Sequence, residues 1–294
     1  MAKWQPGPAS RPHRAVPAPL YALGAIASVQ VGATVARRLF AALGPSGTVF
    51  LRVLFGALIL VAIARVTRPR LNAGQWRAIL LFGLIIAAMN LSFYQAIARI
   101  PLGIAVTIEF LGPLGVAIAG SRKPPDFAWA AMAAAGVVLL SLKGGSVTPL
   151  GVLFALGAAA GWACYILMSQ RVGRLVPGPD GLALALAAGA IVLIPFGIAG
   201  AGSRLLEPGN LVVGLVVAIL SSAIPFSLEF AALRLLSSQV FGILMSLEPA
   251  MGAAAGFFFL NQQLARRDLL AIALVTIASA GATMTGRRAA TDVV

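Results

Sequence analysis

The sequence predicts an all-α integral membrane protein of about ten transmembrane helices, arranged as two inverted five-helix repeats. Three observations predict it. Of 294 residues, 60% are hydrophobic and 10% charged, against roughly 25% charged in an ordinary soluble domain. The mean hydropathy is +0.97. Apolar runs of spanning length recur along the chain, and the second half echoes the first. A net charge of +14 would point to nucleic acid in a soluble protein. Here the bases stand singly or in small groups between apolar runs, which is the pattern of membrane loops. No nucleic-acid partner is expected; the partner is the lipid bilayer. The single cysteine, Cys164, excludes an internal disulfide.

The opening MAKWQPGPASRPHRAVPAP is rich in proline and bases and too polar to span. It lacks the apolar core and cleavage site of a signal peptide. Residues 1–18 therefore read as a flexible cytoplasmic tail, which also holds His13, the only histidine. A crossing helix needs roughly 20 mainly apolar residues. Spans are expected near 19–36, 47–66, 76–97, 101–120 and 126–142, then near 149–169, 180–200, 211–233, 237–260 and 267–285. The first repeat occupies 19–142 and the second 149–286, with 287–294 a second cytoplasmic tail. The break between the third and fourth spans rests on ARIP, ending at Pro101.

Lysine and arginine in short loops orient such a chain. With the amino terminus inside, the inside carries Lys3, Arg11, Arg14, Arg65, Arg68, Arg70, Arg77, Arg122, Lys123, Arg171, Arg174, Arg234, Arg287 and Arg288. The outside then carries Arg37, Arg38, Arg99, Lys143, Arg204, Arg266 and Arg267, a list half as long. Both termini are expected in the cytoplasm of a bacterium, with the protein in its inner membrane.

The internal echo has two parts. ALGA stands at 22–25 and again at 155–158, opening each five-span set. Pro113, Ala117, Ala119 and Gly120 share their spacing with Pro249, Ala253, Ala255 and Gly256. Five is odd, so the two halves enter the membrane in opposite directions. That inverted repeat is the architecture in which many secondary transporters alternate access to a midplane site.

Within the spans the ionisable groups are Glu109, Glu229, Glu248 and Arg52. A charge at the bilayer centre costs roughly 2.5–3.5 kcal/mol on insertion scales. Such groups belong on the bundle interior, as a substrate or proton site. Two plainer roles compete: a protonated glutamate bonding between helices, or a carboxylate paired with Arg52. At helical spacing Ala105, Glu109, Gly112 and Val116 make a narrow stripe. Ser222, Pro225 and Glu229 share one side of the eighth span, and Glu248, Gly252 and Ala255 one side of the ninth. Gln30 with Thr34, Asn90 with Tyr94, and Trp162 with Tyr165 add polar groups at similar depth. Each pair alone could be interhelical glue of about 0.6 kcal/mol per hydrogen bond. Their convergence points to one cavity.

Pro113, Pro225 and Pro249 each free a carbonyl one turn earlier. In a membrane that group needs a partner from another helix, water or ligand. The bends are either tolerated kinks or gating hinges. The runs AAMAAAG and GAAAG suit close helix packing. No Walker loop, Rossmann fingerprint or HExxH occurs, so neither cofactor nor metal is expected.

These residues lead to a family. The chain resembles the drug/metabolite transporter superfamily in its EamA-type ten-span branch, and within it the threonine/homoserine exporters of the RhtA type. The resemblance runs from about 18 to 286 through PLGIAVTIEFLGPL, SRKPPDF, GWACYILMSQR, AILSSAIPFSLE and FGILMSLEPA. It implies export of small neutral hydroxy amino acids in exchange for protons. On that reading Glu109, Glu229 and Glu248 bind the ammonium or carry the proton, and Gln30, Asn90, Tyr94, Trp162, Tyr165 and Ser222 line the pocket. One departure follows the ninth span. Where the family often has an acid in an LGE pattern, this chain reads LNQQ, with Gln262 in its place; either that acid helps gate or couple, and this chain couples differently, or the position is a helix-end contact.

Other classes fit less well. A channel is compatible with the repeat, and saturable counter-exchange would exclude it. A membrane-embedded enzyme lacks its parts, since no aspartate lies clearly within a span and the one histidine is in the tail. Among transporters the rival is a different cargo, another metabolite or a lipophilic cation.

Overall fold

Glycine and proline, side by side at 44 and 45, make the first turn of the fold. The computed structural model describes residues 17–66, 71–119, 124–141, 147–176, 178–236 and 238–291. One helical run, Ala18–Ala64, is broken only at Gly44, whose φ of 63° and ψ of 173° reverse the chain ahead of Pro45. A left-handed φ is open to glycine at no steric cost. The run is therefore two crossing helices, α1 (18–43) and α2 (45–64).

Eight further helices follow. α3 is Ala73–Ile97, started by a capping box between Asn72 and Gln75. α4 comes in two pieces, Leu102–Glu109 and Leu111–Ala119. α5 is Pro124–Ser141, α6 Pro149–Leu175 and α7 Asp180–Ala201. α8 combines Pro208–Ala218, a π-turn at Ile219–Ala223, and Ile224–Leu235. α9 is Ser238–Met245 followed by Glu248–Leu260, and α10 is Arg266–Thr291. Seven helical stretches are long and apolar enough to cross a membrane, with shorter apolar helices at Leu102–Val116 and Phe127–Leu139. The chain is a multi-pass membrane protein with ten helices among its described residues.

Several helices outrun the expected spans. α1 continues to residue 43 where a loop was expected after 36, so Arg37 and Arg38 lie in helix rather than loop. The cause is the tightness of the Gly44 turn, which leaves no loop to fill. α10 likewise runs to Thr291, beyond the expected span end at 285. The break at ARIP is real: Ala98–Ile100 form a turn and Pro101 caps α4. His13, Lys3, Arg11, Arg14, Arg68, Arg70, Arg122, Lys123 and Lys143 lie outside the described residues.

Small residues set the helix crossings, as expected where lipid removes the hydrophobic drive between helices. A Cβ built on Gly103 in α4 would stand 2.5 Å from Cα of Ala253 in α9. One on Gly83 in α3 would stand 2.6 Å from the carbonyl oxygen of Ala185 in α7. The AAMAAAG run ends in Gly136, which packs on Ala271 and Val275, and so binds α5 to α10. Both small-residue runs thus serve packing.

Candidate functional site

The bundle encloses a cavity of about 240 Å³. Helices α1–α4 and α6–α9 line it, while the fifth helix of each half stays outside. Gln30, Asn90, Tyr94, Glu109, Trp162, Tyr165, Ser222, Pro225, Glu229 and Glu248 all lie on its wall. Every glutamate and pocket residue expected from sequence is therefore gathered in one place. Thr34 is not; its hydroxyl turns back to the carbonyl of Val31.

The cavity reaches toward the face carrying the α6–α7 turn. Leu182 is two residues into α7 and Glu229 six residues from the end of α8. The opposite end is closed, with residues 101–108 all buried. Side chains tie that end together. Arg37 donates from Nη1 to the carbonyls of Ile97 and, at 3.1 Å, Ile100. Arg38 donates to the carbonyl of Phe259 at 3.0 Å, and the Gln262 Oε1 accepts from the Leu102 N–H at 2.9 Å. Gln262 is thus a helix-end contact, joining the end of α9 to the start of α4.

The three prolines act differently. Phe110 interrupts α4 three residues before Pro113, and Ser246–Leu247 interrupt α9 just before Pro249. A proline has no N–H to return to the carbonyl four residues back, so the helix opens there. These matched breaks lie in the fourth helix of each half. Pro225 works through the π-turn. Missing its N–H, it leaves the carbonyls of Leu220 and Ser221 to others. Ser28 donates to Leu220 at 2.7 Å, and Arg52 Nη2 to Ser221 at 3.4 Å. Neighbouring helices therefore satisfy the freed backbone, as the membrane requires. Pro225 alone of the three lines the cavity. Pro113 lines a second cavity of about 130 Å³ with Phe110 and Met245, and Pro249 is buried behind Glu248.

Within the expected stripe of Ala105, Glu109, Gly112 and Val116, Gly112 admits another helix: a Cβ there would stand 2.2 Å from the carbonyl oxygen of Ala159 in α6. The interruption at Phe110 separates Glu109, which faces the cavity, from Gly112, which packs on Ala159 and Ala163 of α6.

Arg52, considered from sequence only as a partner for a carboxylate, is held by neutral groups. Its Nη1 donates to Asn90 Oδ1 at 2.6 Å, and its guanidinium lies 5.5 Å from the Tyr94 ring centroid. Asn90 in turn donates to the carbonyl of Ile86. The pairing of Arg52 with a carboxylate, one of the plainer roles, does not occur among the described residues. The charges still form one field: Glu109 interacts electrostatically with Arg52, and Glu248 with both Glu109 and Glu229. Trp162 closes the wall edge-on to Phe110, with ring centroids 5.5 Å apart. Such a cavity can hold a small molecule bearing charge of either sign. Among the described residues no metal-ligating cluster occurs.

The sequence profile of the EamA-like transporter family matches residues 16–142 and again 149–284. The chain belongs to that family. Its two matched segments, one per half, are the duplication that the ALGA and proline spacings indicate. Among curated relatives, the threonine/homoserine exporter RhtA of Salmonella typhimurium (strain SL1344) is 42% identical over 272 residues, covering 92% of both chains. The exporter of the same name from Escherichia coli (strain K12) is 42% identical over 269 residues, 90% of this chain and 91% of its own. One crystal structure matches in fold with a TM-score of 0.61 at 21% identity, over 92% of this chain and 98% of that one. The relatives bear the names of exporters, not of enzymes.

Proposed function

We propose that this EamA-family protein exports small neutral amino acids of the threonine and homoserine kind, exchanging them for protons across the bacterial inner membrane. The observation that carries the reading is the 42% identity, over nine-tenths of both chains, to exporters named for those two amino acids. The cavity supports it. At about 240 Å³ it falls below the roughly 300–1,000 Å³ typical of drug-sized sites, which favours a small cargo over a lipophilic drug.

The mechanism follows from the charges. Glu109, Glu229 and Glu248 provide carboxylates that hold either a proton or a substrate ammonium, not both at once. Substrate entering the open end displaces a proton. The two halves, 19–142 and 149–286, then rock about the fixed site, and a proton from the far side releases the cargo. Pro113, Pro225 and Pro249 mark the bends at which the helices give. With both termini in the cytoplasm, the open end faces inward, so a phosphatase fused to the carboxyl terminus remains inactive.

The test is uptake of labelled threonine and homoserine into inside-out vesicles under an imposed pH gradient, for the wild type and Glu109→Gln. Uptake that follows the gradient and vanishes in the variant supports proton-coupled export through Glu109. Uptake indifferent to the gradient removes the coupling and leaves the cargo. Folded protein that moves neither amino acid overturns the cargo.

A further inference from the structure

We infer that Arg52 reads the carboxylate of the substrate, so that the cavity selects an amino acid over the corresponding amine. The inference rests on the proposed zwitterionic cargo and deepens it. Arginine within a span is costly to insert, and the fold keeps this one on the cavity wall. It is the only cation there among the described residues.

Its surroundings fix the group without an ion pair among the described residues. Asn90 and the Ser221 carbonyl take one N–H each, and the Tyr94 ring lies against the guanidinium. The Tyr94 hydroxyl takes a third, and a guanidinium has five N–H donors, so two remain for a ligand. Neither Asn90 nor Ser221 brings a negative charge, and no glutamate forms an ion pair with Arg52 among the described residues. A neutral donor such as glutamine could serve both neighbours equally. Glu109 acts on the charge only from a distance, without an ion pair, so the charge and the planar fork are left for a ligand, and both match a carboxylate.

The acids lie on other helices. Glu109 comes from α4, Glu229 from α8 and Glu248 from α9, whereas Arg52 comes from α2. Positive and negative groups thus share one small cavity without forming an ion pair, the complement of a zwitterion. Asn90 is a positioning residue: it holds the guanidinium from one side while its own amide is anchored on Ile86.

The experiment uses matched ligands on the purified full chain: threonine, its amino alcohol lacking the carboxylate, and other neutral amino acids with their alcohols. Binding is followed by thermal stabilisation and by competition against labelled threonine. The wild type should bind each amino acid at least about tenfold more tightly than its alcohol, a factor within the range of one charge-assisted contact. Arg52→Gln should erase that preference, and Arg52→Lys should keep part of it. A merely structural arginine would weaken acid and alcohol alike and leave their ratio unchanged. Equal binding of acid and alcohol by the wild type overturns the role of Arg52 while leaving amino-acid export intact. Binding of other amino acids but not threonine or homoserine, still dependent on the carboxylate, overturns the cargo and supports Arg52. Failure of every amino acid overturns both. If Arg52→Gln does not fold, the wild-type ratio and that of Arg52→Lys decide.

Discussion

Gln262 Oε1 accepts a hydrogen bond from the backbone N–H of Leu102 at 2.9 Å, across 160 residues of chain. Leu102 opens α4, whose cap, Pro101, offers no side-chain acceptor. The end of the second half thus caps a helix of the first, where amide donors would otherwise lie buried and unpaired. A lost cap costs about 1 kcal/mol, so Gln262→Ala should lower stability in detergent by that amount. Gln262→Glu should match or exceed the wild type, because a carboxylate at a helix N-terminus is favoured by the dipole. Unchanged stability in Gln262→Ala would show that the contact carries none.

Arg37 predicts a second outcome. Its guanidinium holds the carbonyls of Ile97 and Ile100 at the end of α3, where the helix dipole favours a cation. Arg37→Gln should cost about 1–3 kcal/mol by leaving buried acceptors unsatisfied. Topology, read by a carboxyl-terminal phosphatase fusion, should not change. An inverted topology at unchanged stability would make Arg37 a loop charge after all.

The π-turn of α8 predicts a coupling. Ser28 bonds the Leu220 carbonyl because Pro225 supplies no N–H to the turn before it. Ser28→Ala should therefore destabilise the wild type by roughly 0.6 kcal/mol or somewhat more. Pro225→Ala lets the helix close on itself and take over the freed carbonyls. In that background Ser28→Ala should cost nothing, which a double-mutant cycle reads directly. Equal costs in both backgrounds would mean that the serine is not filling a gap left by the proline.

The contents of the cavity were legible in the sequence because polar groups in a span are expensive and few. Glu109, Glu229 and Glu248 could be marked one by one, and helical spacing brought Asn90 beside Tyr94 and Trp162 beside Tyr165. What periodicity could not reveal was the distance between helices. Arg52 was visible as a charge, yet its attachment to Asn90 depends on how α2 meets α3. The break of α4 at Phe110 was equally beyond periodicity, since spacing assumes an unbroken helix. Arg37 and Arg38 were read as loop charges because a turn of a single glycine leaves no loop composition to detect.

The α4–α9 crossing supplies the last prediction. A Cβ on Gly103 would meet backbone, the Cα of Ala253 at 2.5 Å and its nitrogen at 2.8 Å. Backbone cannot rotate aside as a flexible side chain can, so the two broken helices would have to separate. Overpacking of this kind costs about 1–3 kcal/mol, and Gly103→Ala should lower stability by that much. Gly173 in α6 has nothing within 4 Å of the same position. There alanine is the better helix former, so Gly173→Ala should leave stability unchanged or slightly raised. Thermal unfolding of the two variants side by side tests the crossing, since equal behaviour would mean that α4 and α9 do not approach so closely.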